Sequence, residues 1–130
     1  MMTTGRAGNS YAIFVVEDEA LIRMMIIEML EEMGHCVSGE AGQIDQALSM
    51  ARSAEFDLAI LDVNMAGRIV TPVAEIIALR NRPIIFATGY APEAIPEPFR
   101  NRPALRKPFM LENLQQTINL AMSAQDSGPR

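Results

Sequence analysis

Five short runs, YAIFVV at 11–16, CVSGEA at 36–41, FDLAIL at 56–61, PIIFAT at 83–88 and ALR at 104–106, alternate along the chain with stretches of helical periodicity. That alternation constrains the fold more than any other feature. Most of the runs are continuously apolar, the pattern of strands covered on both faces. The cover lies between them. Leu21, Ile22, Met25, Ile26, Met29 and Met33 recur at three-to-four spacing, as do Ile44, Ala47, Leu48 and Ala51, then Val73, Ile76, Ile77 and Leu79, then Leu111, Leu114, Ile118 and Met122. Strand and helix in alternation predict an α/β fold, a doubly wound parallel sheet with helices on both faces and right-handed crossovers.

One helix breaks the pattern. Pro92, Pro96, Pro98 and Pro103 fall where the fourth helix belongs, and interior prolines remove donors and clash with the preceding turn. This helix is expected to be short, frayed or absent, with few internal hydrogen bonds over residues 91–103. Residues 1–10 and 124–130 are small, polar and glycine-bearing, so they read as flexible tails around one domain at 11–123. With 49% apolar residues the domain can bury a core without staples.

The formal net charge of -5 argues against a nucleic-acid partner, since neutralising phosphates takes a clustered excess of Lys and Arg. Cys36 is the single cysteine and no leader pattern opens the chain, so a cytoplasmic protein is expected. No membrane association is expected, because charges interrupt every apolar stretch before the roughly 18 residues of a span.

In an open parallel sheet the ligand crevice lies beyond the carboxyl ends of the strands, where strand order reverses. The first strand is followed by Glu17, Asp18 and Glu19, the third by Asp62, the fourth ends in Thr88 and the fifth leads into Arg106 and Lys107. Acids crowded together destabilise a fold unless a cation sits among them, and oxygen ligands of this kind suit Mg2+. A hydroxyl and an ammonium beside them complete the parts for holding a phosphoryl group, whose transfer is mostly positioning and charge neutralisation. Asp62 is the expected acceptor.

VVEDE, LAILDVNM, FATG and LRKPF, in that order, resemble the response-regulator receiver domain of bacterial two-component signalling, over about residues 11–123. The resemblance implies a flavodoxin-like five-stranded parallel sheet ordered 2-1-3-4-5. It implies an aspartate, here Asp62, that takes a phosphoryl group from a histidine kinase. It further implies Asp18 as a direct Mg2+ ligand, Glu17 acting through water, Asn64 giving its main-chain carbonyl, Thr88 bonding a phosphoryl oxygen, and Lys107, before a cis Pro108, pairing with another. Such a protein is no enzyme in the ordinary sense. It carries only self-phosphorylation and self-dephosphorylation chemistry, and as a monomer it signals to a downstream protein or serves as a phosphate sink.

Two departures stand out. The aromatic that receivers place three residues before the lysine is Ala104 here, and Tyr90 instead follows Thr88 by two residues. FATGY resembles the motif of the FATGUY receivers, which are paired with kinases of the HWE type. Thr88 and Tyr90 are then the switch residues, with Gly89 leaving the site open. The loop after Asp62 also lacks the usual proline and carries Pro72 at a first helical turn.

Other chemistries fit less well. A haloacid-dehalogenase-type phosphatase needs a second Asp as general acid, and Asn64 cannot exchange a proton. A flavin module needs a hydroxyl-rich loop where EDEAL would repel phosphate. A degenerate receiver that binds partners without phosphorylation would carry the like-charge cost for nothing. Among the remaining residues, Glu19 reads as a first-turn dipole partner outside the site and His35 as a surface residue at a helix end. Met24, Met25, Met29 and Met33 read as core packing, or failing that as an adaptable partner face.

Overall fold

The computed structural model describes residues 10–89 and 92–126. The elements are β1 (Ala12–Val16), α1 (Ala20–Glu32), β2 (Cys36–Ala41), α2 (Ile44–Ser53), β3 (Leu58–Asp62), a hairpin of β4 (Asn64–Met65) and β5 (Arg68–Ile69), α3 (Thr71–Leu79), β6 (Ile84–Thr88), β7 (Ala104–Arg106) and α4 (Leu111–Asp126). The five long-range strands pair in the order β2-β1-β3-β6-β7, all parallel. This is the expected 2-1-3-4-5 sheet, with the hairpin occupying two places in the numbering.

Alternation along each strand sends side chains to two separate cores. Phe14, Val16, Ala59, Leu61, Ile84 and Phe86 meet α2 and α3 on one face. Ile13, Val15, Leu58, Ile60, Ile85 and Ala87 meet α1 and α4 on the other. The central strands β3 and β6 are buried at every residue, as continuous apolar runs require, whereas the edge strand β2 alternates exposed with partly buried residues up to the buried Ala41. Pro72 stands in the first turn of α3. No helix of the described residues is long and apolar enough to cross a membrane.

Two single-turn 3-10 helices, Pro92–Ala94 and Glu97–Phe99, stand where the fourth helix of the sequence pattern would be. The prolines explain the lost helix, yet the segment is better fastened than they suggest. Ile95 and Phe99 are buried in the core, and the Phe99 ring lies 5.6 Å from that of Phe86. Arg100 ties both turns together, Nε donating to the Ile95 carbonyl at 2.9 Å and Nη2 to the Glu93 carbonyl at 3.0 Å.

Three further expectations meet a different arrangement. α4 runs on through Asp126, past the expected start of the tail at residue 124. His35 is buried rather than exposed: its ring stacks on Tyr11 with centroids 5.4 Å apart, and Nδ1 accepts the Tyr11 backbone N–H at 3.1 Å. The methionines of α1 divide, Met29 and Met33 packing on the core while Met24 and Met25 are 55% and 52% exposed.

Candidate functional site

Strand order reverses between β1 and β3, so the residues that follow these two strands share one crevice. Asp62 is the last residue of β3 and is buried; Glu17 follows β1 and is buried beside it, with Asp18 half-buried. Glu17, Asp18 and Asp62 each offer a carboxylate oxygen, and these oxygens all lie within 4.8 Å of one another. Thr88, the last residue of β6, is buried at the next position along the sheet. Lys107 arrives from beyond β7 on a loop whose Lys107–Pro108 peptide is cis. Its Nζ donates to Glu17 Oε1 at 2.7 Å and lies 3.3 Å from Asp62 Oδ1.

The electrostatics follow from this crowding. Burial, then the Glu17 charge, push the Asp62 carboxyl from its ordinary 3.8 up to about 7; Lys107 pulls the other way, and a hydrogen bond with Asp18 favours the protonated form. For Lys107, burial alone would lower its pKa, but the hydrogen bond to Glu17 and the charges of Asp62 and Glu17 outweigh burial and raise it. One ammonium does not balance three carboxyls. The donor set is hard oxygen throughout and short of positive charge, which fits a divalent cation such as Mg2+.

Asn64 opens the hairpin that follows Asp62. Ala66 and Gly67, at φ 53 and 87, form its two-residue turn, a geometry that needs positive φ at both positions. The Val70 N–H donates to the Val63 carbonyl at 3.2 Å, so by antiparallel alternation the adjoining Asn64–Ile69 pair is of the non-hydrogen-bonded kind. The Asn64 carbonyl therefore points out of the ladder. A crevice of about 470 Å3, lined by Asp18, Glu19, Asp62, Asn64, Thr88 and Lys107, holds these groups together. A Cβ placed on Gly89 would meet nothing within 4 Å, so close packing is not what calls for a glycine at this edge of the crevice.

Of the expected site residues, Glu17, Asp18, Asp62, Asn64, Thr88 and Lys107 converge here, and Tyr90 lies outside the described residues. Two residues were not anticipated. Glu19 lines the crevice. Arg23, one turn into α1, donates from Nη1 to the Glu17 carbonyl at 2.7 Å and from Nε to Glu40 at 2.9 Å, and so clamps the acidic loop to β2. Gly42 makes room for it, since a Cβ there would come within 2.8 Å of Arg23 Nη1. Helical periodicity marks Arg23 only as non-core, and nothing local signals the clamp.

Residues 13–119 match the response regulator receiver domain family. The chain belongs to that family. This receiver is 37% identical over 115 residues to the transcriptional regulatory protein PdtaR of Mycobacterium tuberculosis, a match covering 85% of this chain and 56% of PdtaR. It is 38% identical to SdrG of Sphingomonas melonis Fr1, whose solution structure gives a TM-score of 0.76 over 89% of this chain and 96% of SdrG. The BeF3-activated conformation of SdrG gives 0.72 over 83% of this chain and 92% of that one. The receiver domain of PhyR from Erythrobacter litoralis gives 0.79 at 28% identity, covering 94% of this chain and 97% of that one. The chain spans about half the length of the curated relatives it matches, 56% for PdtaR and 46% for PhyR of Methylorubrum extorquens.

Proposed function

We propose that this receiver is a Mg2+-dependent phosphoryl switch whose acceptor is Asp62. The observation that carries the reading is the burial of Asp62 at the reversal point, with Lys107 3.3 Å away and two further carboxylates within 4.8 Å. An Asp62 oxygen forms a bond to phosphorus as the phosphohistidine P–N bond of a histidine kinase breaks, and the departing imidazole keeps the electron pair and takes up a proton. A small phosphodonor serves in the same way, and water later cleaves the acyl phosphate. Asp62 attacks as the carboxylate, so the proton it holds below about pH 7 has to leave first. Lys107 moves from Glu17 toward a phosphoryl oxygen, and the Thr88 hydroxyl donates to another. Asp18, Asp62 and the Asn64 carbonyl, with Glu17 through water, would hold Mg2+, which would supply charge neutralisation.

The signal leaves by protein contact, or the domain drains phosphoryl groups as a sink. The FATGY motif supports a kinase of the HWE type, and Tyr90 is the residue we assign to follow Thr88 when it closes on the phosphoryl group. An apolar cleft of about 280 Å3 between Ile22, Met25 and Met29 of α1 and Pro108 and Phe109, next to Lys107, offers such a partner a landing beside the acceptor. The test uses beryllofluoride as the phosphoryl mimic. In the presence of Mg2+ it should shift the amide resonances of Thr88, Gly89 and Lys107, and Asp18→Asn should abolish the response. An undiminished response in the variant would remove Asp18 from the metal site.

A further inference from the structure

The tripeptide Asn-Arg-Pro occurs twice, as Asn81-Arg82-Pro83 and Asn101-Arg102-Pro103, each time immediately before a strand. Those strands, β6 and β7, are parallel neighbours, so the two copies lie together at their amino ends, the far end of the sheet from Thr88 and Lys107. A cavity of about 430 Å3 opens between them, lined by Asn81, Arg82, Asn101 and Arg102, with Ala78 and Ala121 among its other walls. Both arginines are partly withdrawn from solvent and fixed on one side. Arg82 Nε donates to the Phe56 carbonyl at 3.0 Å, and the Arg102 guanidinium lies 5.7 Å from the centroid of the Phe99 ring. Among the described residues neither has an ion-pair partner. A guanidinium has five donors, and these contacts use one on Arg82 and the flat face of Arg102, which leaves forked N–H groups for a ligand.

We propose that this cavity is a second binding site, for a small organic polyanion whose carboxylate or phosphate oxygens are gripped by Arg82 and Arg102 and whose carbon skeleton rests on Ala78 and Pro103. Two partly desolvated cations that line one cavity with no ion-pair partner among the described residues, in a chain of net charge -5, carry a repulsion that an oxyanion removes. The cavity is too large for a bare phosphate ion to fill, and Ala78 and Pro103 offer apolar contact that an inorganic ion cannot use. This site is independent of the reading given to Asp62.

The test titrates the full chain, in Mg2+-free buffer at constant ionic strength, with citrate and separately with inorganic phosphate, while NMR follows the arginine Nε–Hε and backbone amide resonances. Citrate should produce saturable shifts at Arg82, Arg102, Asn81 and Asn101, and inorganic phosphate should bind there more weakly. Arg102→Gln should weaken citrate by about tenfold, the loss of one charge-assisted bidentate contact. That variant is the decisive one, because Arg82→Gln also releases the Phe56 carbonyl and unsettles the fold. Shifts that do not saturate, shifts confined to Thr88 and Lys107, or unchanged affinity in Arg102→Gln would each overturn the proposal.

Discussion

Lys107 Nζ donates to Glu17 Oε1 at 2.7 Å, closer than its 3.3 Å approach to Asp62. The ammonium therefore neutralises the acidic loop after β1 more than it does Asp62, the proposed acceptor. Its charge stands against the carboxylates that the proposed Mg2+ would use. Lys107→Met should accordingly tighten Mg2+ binding severalfold above about pH 8, a unit beyond the Asp62 titration, while slowing phosphoryl transfer. Calorimetric titration with Mg2+ checks this; weaker binding in the variant would mean that Lys107 organises the carboxylates rather than competing for them.

The Asp62 proton gives a pH prediction. Burial and Glu17 hold this carboxyl at about 7 in the folded, metal-free protein against an ordinary 3.8, so folding takes up a proton between those values. The stabilisation from the bound proton is full below 3.8 and is lost as pH rises through about 7. Melting temperatures measured in chelator should fall over that interval. Asp62→Asn should flatten this part of the decline and melt higher than the parent at pH 8, and Mg2+ affinity of the parent should increase as pH passes through 7. Equal melting curves for the two proteins at all pH values would contradict the assignment of the buried proton to Asp62.

Arg23 offers a test of how the acidic loop is held. Arg23→Ala removes the bonds to the Glu17 carbonyl and to Glu40 and should cost about 1.5 kcal/mol. Arg23→Lys should recover only part of that, since an ammonium does not span both acceptors as a planar guanidinium does. Denaturant unfolding gives the energies. Hydrogen exchange should show the amides of residues 17–19 opening faster in the alanine variant, an effect that a general loss of stability would not confine to this loop.

The residues at the strand ends were legible in the sequence because an open parallel sheet sends its loops to known places. Once the apolar runs were aligned, Asp62, Thr88 and Lys107 followed from position alone. Contacts made across the fold were not legible. Gly34 and His35 look like an exposed helix end, yet β1 brings Tyr11 against the imidazole and buries it. The prolines of residues 92–103 do remove a helix, but local chemistry does not reveal that Phe99 reaches Phe86 or that Arg100 binds two carbonyls of its own segment.

That anchoring has a measurable consequence. Phe99→Ala empties a buried site against Phe86 and should destabilise the protein by about 3 kcal/mol. Chemical denaturation measures the loss. A cost below about 1 kcal/mol would indicate that the segment adds little to the core despite its contacts.

The identity of the phosphoryl acceptor is decided most directly by intact-mass spectrometry. Incubated with Mg2+ and a small phosphodonor, the parent protein should gain the mass of one phosphoryl group, and Asp62→Asn should gain none. A phosphoryl adduct that persists in Asp62→Asn would contradict the assignment of Asp62 as the acceptor.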